Sequence, residues 1–338
     1  MVKHKKISAL QKYFHHGKEI TSSSQNFENK NAFDLSRLSI GQNFAQGADS
    51  RLYRGKYNDQ DVAVKIIQVQ DEEVDEKSSL ARLEKQFIQE VSVLSKLHHR
   101  NVLEFIGAFR QEDVFCIITE YLPEGSLRSY LNKLRSQESR LKLQKVIVLA
   151  LEIAHGMEYV HSKGIIHRDL KPENVLIDKN FLRFGLKIAD FGASCEDSSS
   201  EIMDSDAGTY RWMAPEMIKG KKSCTRKVDV YSFGLVLFEM VSRRIPFAGM
   251  SPVQVAYAVV NRKLRPDIPD ECPAPMKNLI EQCCCLDPKI RPDFCQIVKV
   301  LEQFEASLAH DGTLNLVQNC ISQNNHKRMR FLHWIFKH

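Results

Sequence analysis

Apolar positions along the 338 residues fall into two rhythms. From Leu38, the stretches Ile40 to Tyr53 and Val62-Ala63-Val64-Lys65-Ile66-Ile67 are strand-like runs rich in β-branched residues, parted by the turn-forming stretch Gly55 to Asp61. They predict an antiparallel sheet. An acidic loop, Asp71 to Glu76, follows. Then Leu80, Leu83, Phe87, Val91 and Leu94 recur at steps of three and four, the spacing of one face of a helix. Glu90 falls on the inward side of that helix. A carboxylate there is costly to bury unless a cation meets it, and Lys65 on the preceding strand is the natural partner. Strands near Leu103 to Phe109 and Val114 to Glu120 come next, and Pro123-Glu124-Gly125 punctuates the chain as a hinge.

Beyond the hinge the helical period dominates. Helices are expected over Leu127 to Leu134, Leu143 to His161, Val228 to Ser242, Pro252 to Val260, Met276 to Cys284 and Phe294 to Leu308. Gly164 sits where a C-cap glycine would close the second of these. Residues 1–37 are lysine- and serine-rich without sustained periodicity, apart from a short amphipathic stretch at Ile7 to Phe14, and read as a flexible extension. Residues 305–338 read as a tail with a basic, aromatic end.

Composition narrows the class. With 43% hydrophobic and 27% charged residues, the chain can bury a core of about two domains or one bilobed unit. A net charge of +6 suits an anionic ligand. The lysines are dispersed without interleaved aromatics, which argues against nucleic acid as a partner. The nine cysteines make no zinc pattern and read as reduced thiols, mostly small core residues, with Cys195 the candidate for a reactive one. The most apolar run, Val146 to Ile153, is broken by Glu152 and falls short of the ~20 residues a membrane span needs. A cytoplasmic protein is expected, with peripheral membrane contact through the basic tails left open and its oligomeric state unspecified.

The most specific stretch is His167-Arg168-Asp169-Leu170-Lys171-Pro172-Glu173-Asn174, followed by Asp190-Phe191-Gly192 and later by Ala214-Pro215-Glu216. In order and spacing these resemble the catalytic loop, metal-binding motif and activation-segment end of protein kinases. The resemblance covers about Leu38 to Phe304. It implies an α+β, bilobed protein kinase fold: a small antiparallel β-sheet N-lobe with one key helix, at 38–120, a hinge at 120–125, and a larger, mainly α-helical C-lobe at 126–304. It also implies ATP and Mg²⁺ as cofactors, with Mn²⁺ a substitute, and Ser/Thr hydroxyls of protein substrates as acceptors.

Residue roles follow from the same resemblance. Phosphoryl transfer passes through a loose state with charge spread over oxygens, so the protein mainly positions reactants and supplies cations. Asp190 and Asn174 would hold metal, Lys65 would bind the α- and β-phosphates while Glu90 holds it, and Asp169 would orient the attacking hydroxyl and accept its proton. Lys171 adds positive charge near the γ-phosphate. Together with Thr209 it resembles the Ser/Thr branch, with dual specificity left open. Phe44, Leu52, Ala63 and Leu176 would sandwich the adenine, Thr119 would limit the depth of its pocket, and the backbone from Glu120 to Leu122 would bond its edge.

The phosphate-covering loop departs from the family pattern. Where GxGxxGxV is expected, the chain reads Ala45-Gln46-Gly47-Ala48-Asp49-Ser50-Arg51-Leu52, keeping the middle glycine alone. A stiffer loop and weaker ATP affinity are expected. Leu52-Tyr53-Arg54-Gly55 and Gly208-Thr209-Tyr210-Arg211-Trp212 resemble plant Raf-like kinases related to mitogen-activated protein kinase kinase kinases. Glu216 with Arg291 is expected as a buried ion pair, and Asp229 as a brace for the catalytic loop. Arg168 beside Asp169 implies a partner phosphate on Ser198, Ser199, Ser200 or Ser205, while Thr209 is expected to touch Asp169. The rival reading is a pseudokinase or scaffold that binds nucleotide or partners without turnover.

Overall fold

A computed structural model describes residues 33–47, 50–68, 76–111, 114–179, 185–197, 210–220, 225–311 and 314. The expected helix at Ile7 to Phe14, most of the acidic loop, the four candidate serines, Thr209 and the basic aromatic end lie outside the described residues. The chain divides into two compact units. One holds the described residues to His98 together with Leu103–Leu122, and the other holds His99–Val102 together with those from Pro123 on. The two units meet in sequence between Leu122 and Pro123, and the assignment of His99–Val102 to the second unit was not foreseen.

In the first unit, β1 (Leu38–Gln46), β2 (Ser50–Tyr57) and β3 (Gln60–Ile67) precede α1 (Glu76–Leu94), β4 (Phe105–Gln111) and β5 (Val114–Glu120). The strands form one antiparallel sheet in the order β1-β2-β3-β5-β4. The run from Ile40 to Tyr53 is therefore two strands, parted at Gly47. The β2–β3 turn is also tighter than expected, because Asn58 and Asp59 take φ of 48° and 64°, the positive pair of a two-residue hairpin. Gly55 thus stays in β2, where a Cβ would lie 2.6 Å from the Ser39 carbonyl oxygen. Val62, Val64 and Ile66 alternate into a core with Tyr53, Cys116 and Ile118. On α1, Leu83, Phe87, Val91 and Leu94 are buried, and the Phe87 ring lies 5.2 Å from Phe115 of β5.

The last residues of the segment expected as an extension, 33–37, carry defined structure. Leu35–Arg37 form a 3₁₀ turn whose N-cap is Asp34, and Phe33 stacks on Tyr57 with ring centroids 4.4 Å apart. An apolar ring ahead of the sheet is drawn onto the sheet's partly buried side chains, among them Tyr57 and Phe109.

In the second unit, α2 (Leu127–Ser136) and α3 (Leu143–Ser162) precede four short strands, β6 (Ile165–Ile166), β7 (Val175–Asp178), β8 (Gly185–Ile188) and β9 (Cys195–Glu196). Then come α4 (Pro215–Ile218), α5 (Lys227–Ser242), α6 (Pro252–Asn261), α7 (Ala274–Cys283) and α8 (Phe294–Asp311). Helix α5 buries nearly every side chain, as does much of α3, which marks central core helices. Gly164, at φ 72°, closes α3 as expected. Helix α8 runs past 304 into the segment read as tail. The strands pair as β6 with β9 and β7 with β8, and they bracket the motif His167 to Asn174.

Among the described residues, no helix is long and apolar enough to cross a membrane. Cys116, Cys195, Cys272, Cys283 and Cys284 are buried, so the reactive reading of Cys195 fails for want of exposure. Burial, outweighing nearby cations, pushes the Cys272 thiol up to about 11 and that of Cys284 up to about 12.

Candidate functional site

The first unit assembles the residues expected to meet the nucleotide. Pairing of β3 with its neighbours sets Lys65 opposite Leu52 on β2 and Ala63 opposite Thr119 on β5. The Lys65 ammonium donates to both carboxylate oxygens of Glu90 at 2.9 Å, and Glu90 is buried on the inner face of α1. The cost of burying Glu90 is thus met as its sequence position requires.

Thr119 is buried at the end of β5, and its hydroxyl donates to the Glu120 carbonyl at 3.3 Å. Glu120 is held from both ends: its N–H donates to Glu104 O at 3.1 Å, and its carboxylate accepts the Glu104 N–H at 2.7 Å. Leu122 is buried two residues on.

Gly47 N–H donates to Ser50 O at 2.8 Å, Ala45 pairs with Leu52 across the strands, and Ala48 and Asp49 lie outside the described residues. Phe44 is 48% exposed and meets Tyr121 edge-on at 5.5 Å.

The second unit gathers the motif residues around Asp229, fully buried at the start of α5. One Asp229 oxygen accepts the His167 N–H at 2.9 Å and meets His161 Nε2 at 2.8 Å, and the other accepts the Arg168 N–H at 2.8 Å. Burial works to raise the Asp229 carboxyl, but hydrogen bonding from His161 and the nearby His167 outweigh it and hold the group below the usual carboxylate range. This clamp sustains Arg168 at φ 67°, a left-handed conformation that a non-glycine residue adopts at a cost. The His167 ring extends the network. Its Nδ1 accepts the Asp169 N–H at 3.2 Å, and its Nε2 lies 3.1 Å from Ala189 O.

Asp169, Lys171 and Asn174 then converge. Asp169 Oδ2 accepts from Lys171 Nζ at 2.8 Å and from Asn174 Nδ2 at 2.9 Å, while Nδ2 also reaches Asp169 O at 2.9 Å. The second Asp169 oxygen is buried without a hydrogen bond among the described residues. Burial pushes the Asp169 carboxyl up, against the pull of Lys171 and with reinforcement from Asp190. Asn174 ends a 3₁₀ turn, Pro172–Asn174, and its carbonyl accepts the Ala189 N–H at 2.8 Å, which ties the turn to the residue before Asp190. Asp190 takes φ 63°. Leu176 pairs with Lys187 in the β7–β8 hairpin.

The Asn174 amide nitrogen is committed to Asp169. The Asn174 amide oxygen and the Asp190 carboxylate are hard oxygen donors, the chemistry that suits Mg²⁺.

The expected structural pair is also present. Arg291 is buried and forks onto Glu216 at 2.6 and 2.9 Å, the bidentate geometry that a guanidinium favours. Arg168 is buried, with its Nε unpartnered among the described residues.

Sequence reasoning passed over another buried carboxylate, Glu239, which bonds Arg128 and, at 3.3 Å, Arg135. A Glu inside the otherwise apolar helix from Val228 was the available signal, since such a charge requires a cation.

The profile of the family described as protein tyrosine and serine/threonine kinase matches residues 38–301. Serine/threonine/tyrosine-protein kinase HT1 of Arabidopsis thaliana is 48% identical over 272 residues, which is 80% of this chain and 67% of that protein. Serine/threonine-protein kinases STY46 and STY17 of the same plant are 38% and 37% identical, over 82% of this chain and 46% of each relative. The chain thus spans less than half the length of those two.

Proposed function

Because the chain belongs to the protein tyrosine and serine/threonine kinase family, we propose that it transfers the γ-phosphoryl group of ATP, with Mg²⁺, to Ser and Thr hydroxyls of protein substrates. The observation that carries this reading is the convergence of Lys171 and Asn174 on the Asp169 carboxylate. Mg²⁺, when bound, neutralises phosphate charge, and Asn174 and Asp190 are the residues to hold it.

Each other residue then has a task. Asp169 accepts the hydrogen bond of the incoming hydroxyl and takes its proton, with its carboxylate orientation set by Asn174. Lys171, already on that carboxylate, offers its charge to the transferring phosphate. Lys65, held by Glu90, binds the α- and β-phosphates. Phe44, Ala63, Leu52 and Leu176 provide the apolar walls for adenine, Thr119 its back, and the backbone from Glu120 to Leu122 its polar edge. Gly47, with Ala45 and Ser50 beside it, covers the phosphates.

Arg168 accounts for regulation in the same reading. A buried guanidinium beside the base recruits a phosphate on Ser198, Ser199, Ser200 or Ser205. Replacing all four serines by Ala is expected to lower activity, and unchanged activity removes this switch. A place in cytoplasmic signalling, in the manner of Raf-like kinases, completes the proposal.

The test is transfer of labelled phosphate from ATP to the chain itself and to a generic basic protein, for wild type and Asp169→Asn. Loss of the base is expected to slow transfer by about 10²- to 10⁴-fold. Equal incorporation by both proteins, or none by either, overturns the enzyme reading, and nucleotide binding without transfer supports a scaffold instead.

A further inference from the structure

Arg128 is the residue whose contacts the roles above leave unused. It lies in the first turn of α2, just after the N-cap Ser126. Its Nε donates to Glu173 Oε1 at 2.7 Å, its Nη1 and Nη2 both engage Glu239, the latter at 3.2 Å, and its guanidinium lies 5.1 Å from the ring centre of Trp212. One side chain therefore joins α2, the catalytic turn, α5 and the segment that leads into Ala214-Pro215-Glu216. Trp212 is also held through its backbone, whose carbonyl accepts the Ser232 hydroxyl of α5 at 2.8 Å.

These contacts differ in what they do. Glu239 is fully buried and also has Arg135, so its charge is not left uncompensated when Arg128 is lost. Glu173 is 41% exposed, and an ion pair so open to water contributes little stability, roughly 0–1 kcal/mol. The consequence of the Arg128–Glu173 bond is therefore geometric. Glu173 immediately precedes Asn174 on a turn of three residues, so fixing Glu173 against α5 fixes the rotation of that turn. The planar guanidinium suits this task, because it can hold two carboxylates in a set geometry where an ammonium cannot.

We propose that Arg128 is a positioning residue for phosphoryl transfer, which holds the turn bearing Asn174 in register with α5 and Trp212 and so sets the cation affinity of that asparagine. The proposal rests on the kinase reading above. Groups that orient a metal ligand typically change metal affinity or activity by about 10- to 100-fold when removed.

The test uses the full chain as wild type, Arg128→Gln, Arg128→Lys, Glu173→Gln and the double variant Arg128→Gln/Glu173→Gln. Mn²⁺ binding in the presence of a non-hydrolysable ATP analogue is followed by electron paramagnetic resonance, and amide exchange of Ala189, which bonds the Asn174 carbonyl, is followed without metal. Arg128→Gln and Glu173→Gln are each expected to weaken Mn²⁺ binding about tenfold or more and to speed Ala189 exchange. The double variant should be no worse than the more affected single one, and Arg128→Lys should not restore affinity. Should Arg128→Gln fail to fold, Glu173→Gln, which leaves Glu239 paired, decides the matter alone. Unchanged Mn²⁺ affinity and unchanged Ala189 exchange in Glu173→Gln overturn the proposal, as do strictly additive effects. A wild type that binds Mn²⁺ and nucleotide but transfers no phosphate overturns the kinase reading, and the Mn²⁺ titration still judges Arg128.

Discussion

Among the described residues, the turn from His167 to Asn174 in the second unit and the β1–β2 turn of the first differ in the contacts that hold them. Around Asp229, one buried carboxylate fixes two backbone amides and a histidine, and a left-handed Arg168 is sustained at its cost. At β1–β2, among the described residues, the Gly47 N–H donates to Ser50 O, beside a half-exposed Phe44. Groups that must meet a developing charge gain from being set before the substrate arrives. Groups that fold over a ligand gain from being able to move. Under the function proposed above, chemistry belongs to the region around Asp229 and nucleotide affinity to the β1–β2 turn.

The largest way to break this contrast is Asp229→Ala, which strands the amides of His167 and Arg168 and the ring of His161. A loss of about 3–5 kcal/mol is expected in urea unfolding of the second unit, and a loss of a few tenths would show the clamp to be ornamental. The pH dependence sharpens the point. Because the folded Asp229 carboxyl titrates below its ordinary value, its contribution is present above about pH 4 and disappears as pH falls through the lower folded value. The stability gap between wild type and Asp229→Asn should therefore narrow with acidification below that pH, and a gap that widens would contradict the assignment.

A smaller effect is expected where the sheet receives its leading segment. A Cβ on Gly107 would stand 2.2 Å from the Phe33 ring, so Gly107→Ala should cost about 1–3 kcal/mol by overpacking. Phe33→Ala in the same chain should recover part of that loss, which thermal unfolding can measure. Full additivity would mean that Phe33 does not occupy that place in solution.

Much of this was legible beforehand, and for reasons that can be named. Lys65 and Glu90 were paired because a carboxylate on an apolar helix stripe demands a cation, and the ion pair has the predicted partners. Gly164 was readable as a cap because the apolar period stops there. Asp229, Glu216 and Arg291 followed from family resemblance, and each makes the bonds expected of it.

What was missed involves short range or long reach. Strands β6 to β9 have between two and four residues, too few for an alternation to register. The ring of Phe33 docks through packing that no period announces. Arg128 meets Glu173, Glu239 and Trp212 across 45, 111 and 84 positions of sequence, and a pattern read along the chain does not carry such pairings. Glu239 could have been flagged as needing a cation, but not which one.

The most direct measurement compares Gly47→Ala and Asp169→Asn in one steady-state transfer assay against ATP. A Cβ on Gly47 would press on the Ser50 hydroxyl at 3.1 Å, so that variant should raise the KM for ATP about fivefold, equivalent to ~1 kcal/mol, with kcat held. Asp169→Asn should lower kcat by about 10²-fold or more with the KM for ATP little changed. A Gly47 variant that loses kcat, or an Asp169 variant that loses only affinity, would contradict the division of labour between the two units.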